Sequence, residues 1–269
     1  MYDYMGYKRY SHAFDNYSSE QWVEKILEIP YEKIALAITG GEPFLDWKNF
    51  RDLLAGLTQS NKIDNIRIDT NASWNVEDFR TKEINFNKIY LNISYHYDYW
   101  KLDKFIDRIK SFMNLGINIA MVNYVMSPEQ QQYYEEVKNN LAIIGVKVNA
   151  AVFNDGHFPK SDEEIQVYKK YLNWFDLGYK AGLVSPKGKM CRYPMIGIYM
   201  RANGDISIGC EEKVIGNIFY TKFPDLMKKP LKCNKDLCLC LHMYSFLEEC
   251  DRNLDSLNTL QKYSDEAIL

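Results

Sequence analysis

The sequence predicts an α/β fold of parallel strands and crossover helices, closed as a barrel or laid out as an open wound sheet, with a small cysteine-rich β-hairpin segment after it. Three observations lead there. Short strand patterns alternate with amphipathic helical patterns from Ser18 to Phe153. The connections between them are short, which suits strand–helix crossovers. All six cysteines (Cys191, Cys210, Cys233, Cys238, Cys240 and Cys250) lie in the last third of the 269 residues.

The elements follow in order. Residues 1–17 show no clean period and read as loop. Ser18-Ser19-Glu20-Gln21 has the form of a capping box, opening a helix with Trp22, Ile26 and Leu27 on one face. Ile34 to Ile38 is aliphatic enough for a strand buried on both faces. Asp46 can cap a second helix, with Phe50, Leu53, Leu54 and Leu57 inward. Asn65 to Asn71 alternates polar and apolar as a strand, and a short helical piece covers Val76 to Ile84. Lys88 to His96 is the next strand, and Leu102 to Leu115 an amphipathic helix closed by Gly116. Ile117 to Met126 is a strand, Pro128 suits the first turn of a helix running to Ile144, and Gly145 ends it. Val146 to Phe153 is the last strand of the series, and a polar helix over Ser161 to Phe175 follows. Asn203-Gly204 sits between two short alternating runs, Ile196 to Met200 and Asp205 to Ile208, as a hairpin turn.

Composition bounds the function. Hydrophobic residues at 46% and charged residues at 26% are those of an ordinary globular protein, large enough for one α/β domain and an appendage. A net charge of -3 offers no basic surface, so neither nucleic acid nor an anionic membrane is expected as partner. No apolar run approaches the roughly 20 residues that span a bilayer. The polar, aromatic start from Met1 to Tyr10 is unlike a signal peptide, so a cytoplasmic location is expected. In that setting clustered cysteines favour a metal site over disulfides.

The candidate site begins where the first strand ends, at Thr39-Gly40-Gly41-Glu42-Pro43. Two glycines let the backbone turn with unusual φ and let a ligand come close. Pro43 fixes φ and cannot extend a ladder. Glu42 stands where the ends of parallel strands meet a ligand, and a carboxylate with exposed main-chain groups suits an ammonium. The same residues also fit a plain Gly-Gly turn with a solvated glutamate. At the other strand ends stand Thr70, Asn71, Ser94, His96 and Asn123, with side chains able to bond carboxylates, ribose hydroxyls or adenine. Each also fits an ordinary strand-end residue, and His96 a packed histidine among aromatics.

Thr39-Gly40-Gly41-Glu42-Pro43 resembles the motif of the radical S-adenosylmethionine (SAM) enzymes. The resemblance implies a partial (β/α)6 TIM-like barrel in which this motif ends the second strand, so that the first strand is missing from this chain. It implies that the motif binds the amino group of SAM, with Glu42 on the methionyl ammonium. Asn71 after the third strand, Ser94 on the fourth, on ribose or carboxylate, and Asn123 would also serve SAM. The implied activity is cleavage of SAM to methionine and a 5′-deoxyadenosyl radical that modifies a peptide or small-molecule substrate. A reductant such as flavodoxin or ferredoxin would supply the electron.

Three cysteines within eight residues, Cys233, Cys238 and Cys240, are a metal signal, since a tight loop brings their sulfurs toward one centre. The layout is similar to the SPASM and twitch auxiliary-cluster extensions of radical SAM enzymes. Cys191, the turn Gly204-Asp205-Ile206 and Cys210 match the first half, and the spacing of Cys233, Cys238 and Cys240 departs from the second. The implied ligands of one 4Fe–4S cluster are Cys191, Cys210 and two of Cys233, Cys238 and Cys240, with Cys250 the weakest candidate. Zinc is the other metal such thiolates take. The expected domains are a radical SAM core-like part over residues 1–185 and an auxiliary part over 186–269.

One departure stands out. The family ligates its catalytic cluster with Cys-x3-Cys-x2-Cys after the first strand, and here no cysteine precedes Cys191. Two expectations follow: a chain that begins inside a longer radical SAM enzyme, or a catalytically silent relative that binds a partner around an iron–sulfur or zinc staple.

Overall fold

The computed structural model describes residues 13–80, 83–172, 176–208 and 213–238. These form two compact units, 18–151 in one and 13–17 with 152–238 in the other. The stretch 152–185, counted above with the strand–helix core, groups with the cysteine-bearing residues: the Lys160 N–H donates to the Ala181 carbonyl at 3.0 Å, drawing the loop after the last strand onto a later turn.

The first unit holds α1 (Ser19–Glu28), β1 (Ile34–Ile38), α2 (Trp47–Gln59), β2 (Ile63–Thr70), β3 (Ile89–Tyr95), α3 (Leu102–Asn114), β4 (Asn118–Met126) and α4 (Tyr134–Ile143), and its sheet is completed by β5 (Val148–Val152). The sheet is parallel and its spatial order is the chain order, β1 to β5. Strands that never reverse order put successive right-handed crossovers on one face, so the sheet is wound in one direction, as an arc of a barrel is.

The helices start and stop where local chemistry dictates. Ser18 and Gln21 form the capping box of α1, each side chain bonding the other's backbone N–H. Gly116 and Gly145, both at positive φ, close α3 and α4, with the next N–H donating to the third-last helical carbonyl: Ile117 to Phe112 at 3.2 Å and Val146 to Leu141 at 3.0 Å. Asp46 precedes α2 but makes no cap to the helix backbone; its carboxylate accepts from the Asn49 side chain at 2.9 Å instead. The segment before α4 is a 3₁₀ turn (Pro128–Tyr133) rather than a continuous helix.

The core lies between the sheet and its helices. Phe50, Leu53, Leu54 and Leu57 of α2 and Phe105, Ile109 and Phe112 of α3 are buried against Ile66, Ile68, Leu91, Ile93 and Val122 of the strands. Because strand side chains alternate, the residues between these, Arg67, Asp69, Asn92, Ser94 and Asn123, stand on the opposite face. β1 is the edge strand, and its Ala35 and Ala37 are exposed, so it is not buried on both faces as its aliphatic run suggests. Among the described residues no helix is long and apolar enough to cross a membrane.

In the second unit, α5 (Asp162–Tyr168) is shorter than the helix expected to Phe175 and opens with a Ser161–Glu164 capping box. β6 (Met190–Cys191) pairs antiparallel with β10 (Leu231–Lys232). β7 (Tyr199–Met200), β8 (Asp205–Ser207) and β9 (Val214–Asn217) form a three-stranded antiparallel sheet turned at Gly204, whose φ is +85°. Gly216 and Asn217 of β9 pair with Ile206 and Asp205 of β8.

Candidate functional site

The turn after β1 is held by its conformation and by one carboxylate. Gly40 and Gly41 both take positive φ, +96° and +57°. Open space surrounds the place a Cβ would occupy on Gly40, so this glycine answers to backbone conformation and not to crowding. Phe44 then anchors the turn. Its ring is 4% exposed, stacks on Trp74 at 3.9 Å and meets Phe50 and Phe79 edge-on at 4.9 and 5.0 Å.

Glu42 is bound on both oxygens. Its Oε1 accepts from the Thr70 hydroxyl at 2.7 Å and, at 3.4 Å, from the Phe44 N–H; its Oε2 accepts from the Asn71 N–H at 2.7 Å. The carboxylate therefore ties the end of β1 to the end of β2. One lone pair of Oε2 remains for a ligand donor.

Thr70 is committed to structure: buried at 4%, it donates to Glu42 and accepts from the Ala72 N–H at 3.1 Å. Asn71 folds its Oδ1 onto the Ser73 N–H at 2.8 Å, while its carbonyl accepts from the Trp100 indole at 3.2 Å. These bonds hold Ala72 at φ +61°, an uncommon conformation for a residue with a Cβ.

The register aligns the other candidates. Ser94 pairs directly with Asn123, and since Thr70 pairs with Ile93, Asn71 falls level with Ser94 one step on. Asn71, Ser94 and Asn123 thus form one row across β2, β3 and β4, beside the Gly40–Pro43 turn.

Below that row lies a network that the sequence reading passed over. Asn92 Nδ2 donates to Asp69 Oδ1 at 2.8 Å, Asn123 Nδ2 donates to Asn92 Oδ1 at 2.9 Å, and Asn149 Nδ2 approaches Asn123 Oδ1 at 3.4 Å. Arg67 Nε is 3.7 Å from the same Asp69 oxygen and makes no hydrogen bond. The available signal was a polar residue set between apolar neighbours, as Asn92 is between Leu91 and Ile93 and Asn149 between Val148 and Ala150.

His96 follows β3 with its ring 6.0 Å from that of Tyr99. Burial pushes its pKa below the ordinary 6.5, against the opposing pull of Asp98. A depressed histidine among aromatics fits the packed alternative. Burial, reinforced by Tyr97, pushes the Tyr95 phenol up to about 12.

The cysteines divide. Cys191 of β6 lies opposite Leu231, and Cys233, two residues on from Leu231, exchanges hydrogen bonds with the chain at Gly188 and Lys189. The two thiols thereby share one face of the ribbon as diagonal neighbours. Burial raises the Cys191 pKa and Cys233 adds to the rise, against the lowering bond from the Tyr193 N–H. Cys238 is buried. Among the described residues no three His, Cys, Asp or Glu side chains converge as a metal site. Cys210, Cys240 and Cys250 lie outside the described residues.

No protein-family profile and no curated protein matches the chain. Solved structures share its fold. The structure described as native anSMEcpe with bound AdoMet is similar with a TM-score of 0.56 and 15% identity, over 92% of this chain and 79% of that one. Native anSMEcpe with bound AdoMet and Cp18Cys peptide gives a TM-score of 0.52 and 16% identity, over 88% and 77%.

Proposed function

We propose that this chain binds S-adenosylmethionine along the C-terminal rim of its parallel sheet and has a radical SAM-type function. The observation that carries the reading is the Gly40–Gly41 turn, braced by Glu42 onto β2 and opening beside the polar row of Asn71, Ser94 and Asn123. The AdoMet-bound structures of the same fold support it.

The residues present fit this ligand. The backbone at Gly40 and the remaining lone pair of Glu42 Oε2 suit the methionyl ammonium. Asn71, Ser94 and Asn123 offer side-chain donors and acceptors for carboxylate and ribose. When bound to a radical SAM enzyme, SAM supplies the carbon radical that takes hydrogen from substrate. This chain's share is to bind and orient SAM and exclude water from it. A catalytic cluster does not fit the residues of this sequence, because no thiol precedes Cys191. A peptide or small-molecule substrate and a flavodoxin- or ferredoxin-type reductant belong to the same reading.

Equilibrium dialysis of labelled SAM against the protein under anaerobic conditions tests it. Saturable binding of one SAM per chain, weakened in Asn123→Ala, is expected. Absence of saturable binding by the unaltered chain would overturn it.

We also infer an auxiliary metal site at the cysteine segment, held by Cys191, Cys210 and two of Cys233, Cys238 and Cys240. The shared ribbon face of Cys191 and Cys233 supports it. Iron and sulfide in the anaerobically purified protein, lost in Cys191→Ser, would establish a cluster; zinc in their place would establish the other metal.

A further inference from the structure

We propose that Asp69 is a positioning residue that fixes the polarity of a carboxamide ladder, and that this ladder makes Asn123 an obligate hydrogen-bond acceptor toward the nucleoside half of the ligand. The inference rests on the SAM-binding reading and deepens it.

The argument starts from the acceptor-only nature of a carboxylate. Asn92 packs against Asp69 Oδ1 at 2.8 Å, and only its Nδ2 can face that oxygen. Its Oδ1 must then face Asn123, which must present Nδ2 in turn, at 2.9 Å. The Oδ1 of Asn123 consequently points away from Asp69, where Asn149 Nδ2 makes only a long 3.4 Å approach. Asn92 is 7% exposed, so water cannot substitute freely for a mispaired neighbour. Arg67, 3.7 Å from Asp69, supplies the countercharge at the closed end of the ladder.

Each step polarises the next, so the anionic end strengthens the acceptor at the far end. A ligand anchored by its ammonium at the β1 turn has to extend along the strand ends, over β2, β3 and β4. It meets Asn123 beside its register partner Ser94. The group that meets Asn123 Oδ1 there is a donor, a hydroxyl or amino group of the nucleoside.

The test reverses the ladder. Asp69→Asn frees both amides to turn round. Asn123→Asp sets a carboxylate against Asn92 Oδ1, which Asp69 prevents from turning. In the double variant Asp69→Asn/Asn123→Asp, Asn92 can flip, donate to Asp at 123 and accept from Asn at 69, and an acceptor still faces the ligand. Labelled SAM is the probe, in equilibrium dialysis, with 5′-methylthioadenosine and L-methionine as competitors.

SAM affinity should fall about fivefold in Asp69→Asn and about twentyfold or more in Asn123→Asp, the scale of one and two disturbed hydrogen bonds, and return to within about threefold in the double variant. The losses should appear in competition by 5′-methylthioadenosine and not by L-methionine. Unchanged SAM affinity in both single variants, with only the melting temperature moved, would overturn the inference while leaving SAM binding intact. So would failure of the folded double variant to recover. No SAM binding by the unaltered chain would remove the functional reading itself.

Discussion

Glu42→Ala should destabilise the strand–helix unit well beyond what a surface glutamate would. The side chain accepts three hydrogen bonds, two of them at 2.7 Å from Thr70 Oγ1 and the Asn71 N–H, and the third at 3.4 Å from the Phe44 N–H. Bonds to a charged acceptor contribute roughly 1.5–3 kcal/mol each, which bounds the two short ones at roughly 3–6 kcal/mol. Water can reach the half-buried site and replace part of this, so about 2–3 kcal/mol is expected. For a domain of about 150–250 residues that corresponds to a fall of roughly 4–12 °C in melting temperature. Glu42→Gln should cost less, about 1–2 kcal/mol, because one of its donors must face Thr70 or the Asn71 N–H. The assay is urea unfolding followed by tryptophan fluorescence, with amide exchange at Asn71 and Ala72 to localise the loss. Thr70→Val supplies the second arm of a double-mutant cycle, with a coupling near 1 kcal/mol expected. A Glu42→Ala change within about 0.5 kcal/mol of the unaltered protein, the range of ordinary surface substitutions, would refute the brace.

Three further outcomes follow from other sites. Gly40→Ala meets no steric obstacle but must hold a Cβ at φ +96°, and should cost about 1–2 kcal/mol in urea unfolding while weakening SAM binding. His96 has a folded-state pKa below its ordinary 6.5, so the unfolded chain binds more protons as pH falls through that value. Stability should therefore decline below pH 6.5, and His96→Phe should flatten that part of the pH–stability curve. Lys160, with a fully buried side chain 2.6 Å from Asp155 and 3.7 Å from Glu164, should not tolerate truncation: Lys160→Ala should cost about 2–4 kcal/mol in thermal or urea unfolding of the second unit. It should also let the Asp155 pKa rise, since burial already pushes that carboxyl up and the Lys160 bond is among those holding it down.

Much of the fold was legible because its signals are local. The capping residues Ser18 and Gln21, the closing glycines Gly116 and Gly145 and the alternation from Ile66 to Thr70 each act within a few residues, and each appears in place. The strand order was not legible. Strand–helix alternation fits both a barrel arc and an open wound sheet, and only pairing between distant segments separates them. The site was legible as a set of strand-end residues, yet its bonding was not. Asp69, Asn92 and Asn149 escaped notice because each is an unremarked polar residue in its own strand. They become a network only when parallel register sets them side by side. Conversely, Thr70 looked like a ligand contact, and its hydroxyl turned out to be bound to Glu42 and Ala72.

Glu42 illustrates why a carboxylate beside glycines is ambiguous in sequence. A glutamate there can point to a ligand or back into the protein, and its own neighbours cannot say which. What decides is the end of the following strand. Thr70 presents a hydroxyl and Asn71 a backbone N–H, two donors at the height of the turn that the Glu42 carboxylate takes. An acceptor brought beside them will be captured. The capture leaves one Oε2 lone pair outside these bonds, so in the proposed site the carboxylate would share an ammonium with main-chain groups of the turn instead of holding it alone. A turn braced in this way would be ordered before a ligand arrived, which would reduce the ordering cost of the proposed binding. A motif carboxylate followed, one strand later, by Thr-Asn is thus better read as a brace that preorganises the site than as its principal ligand.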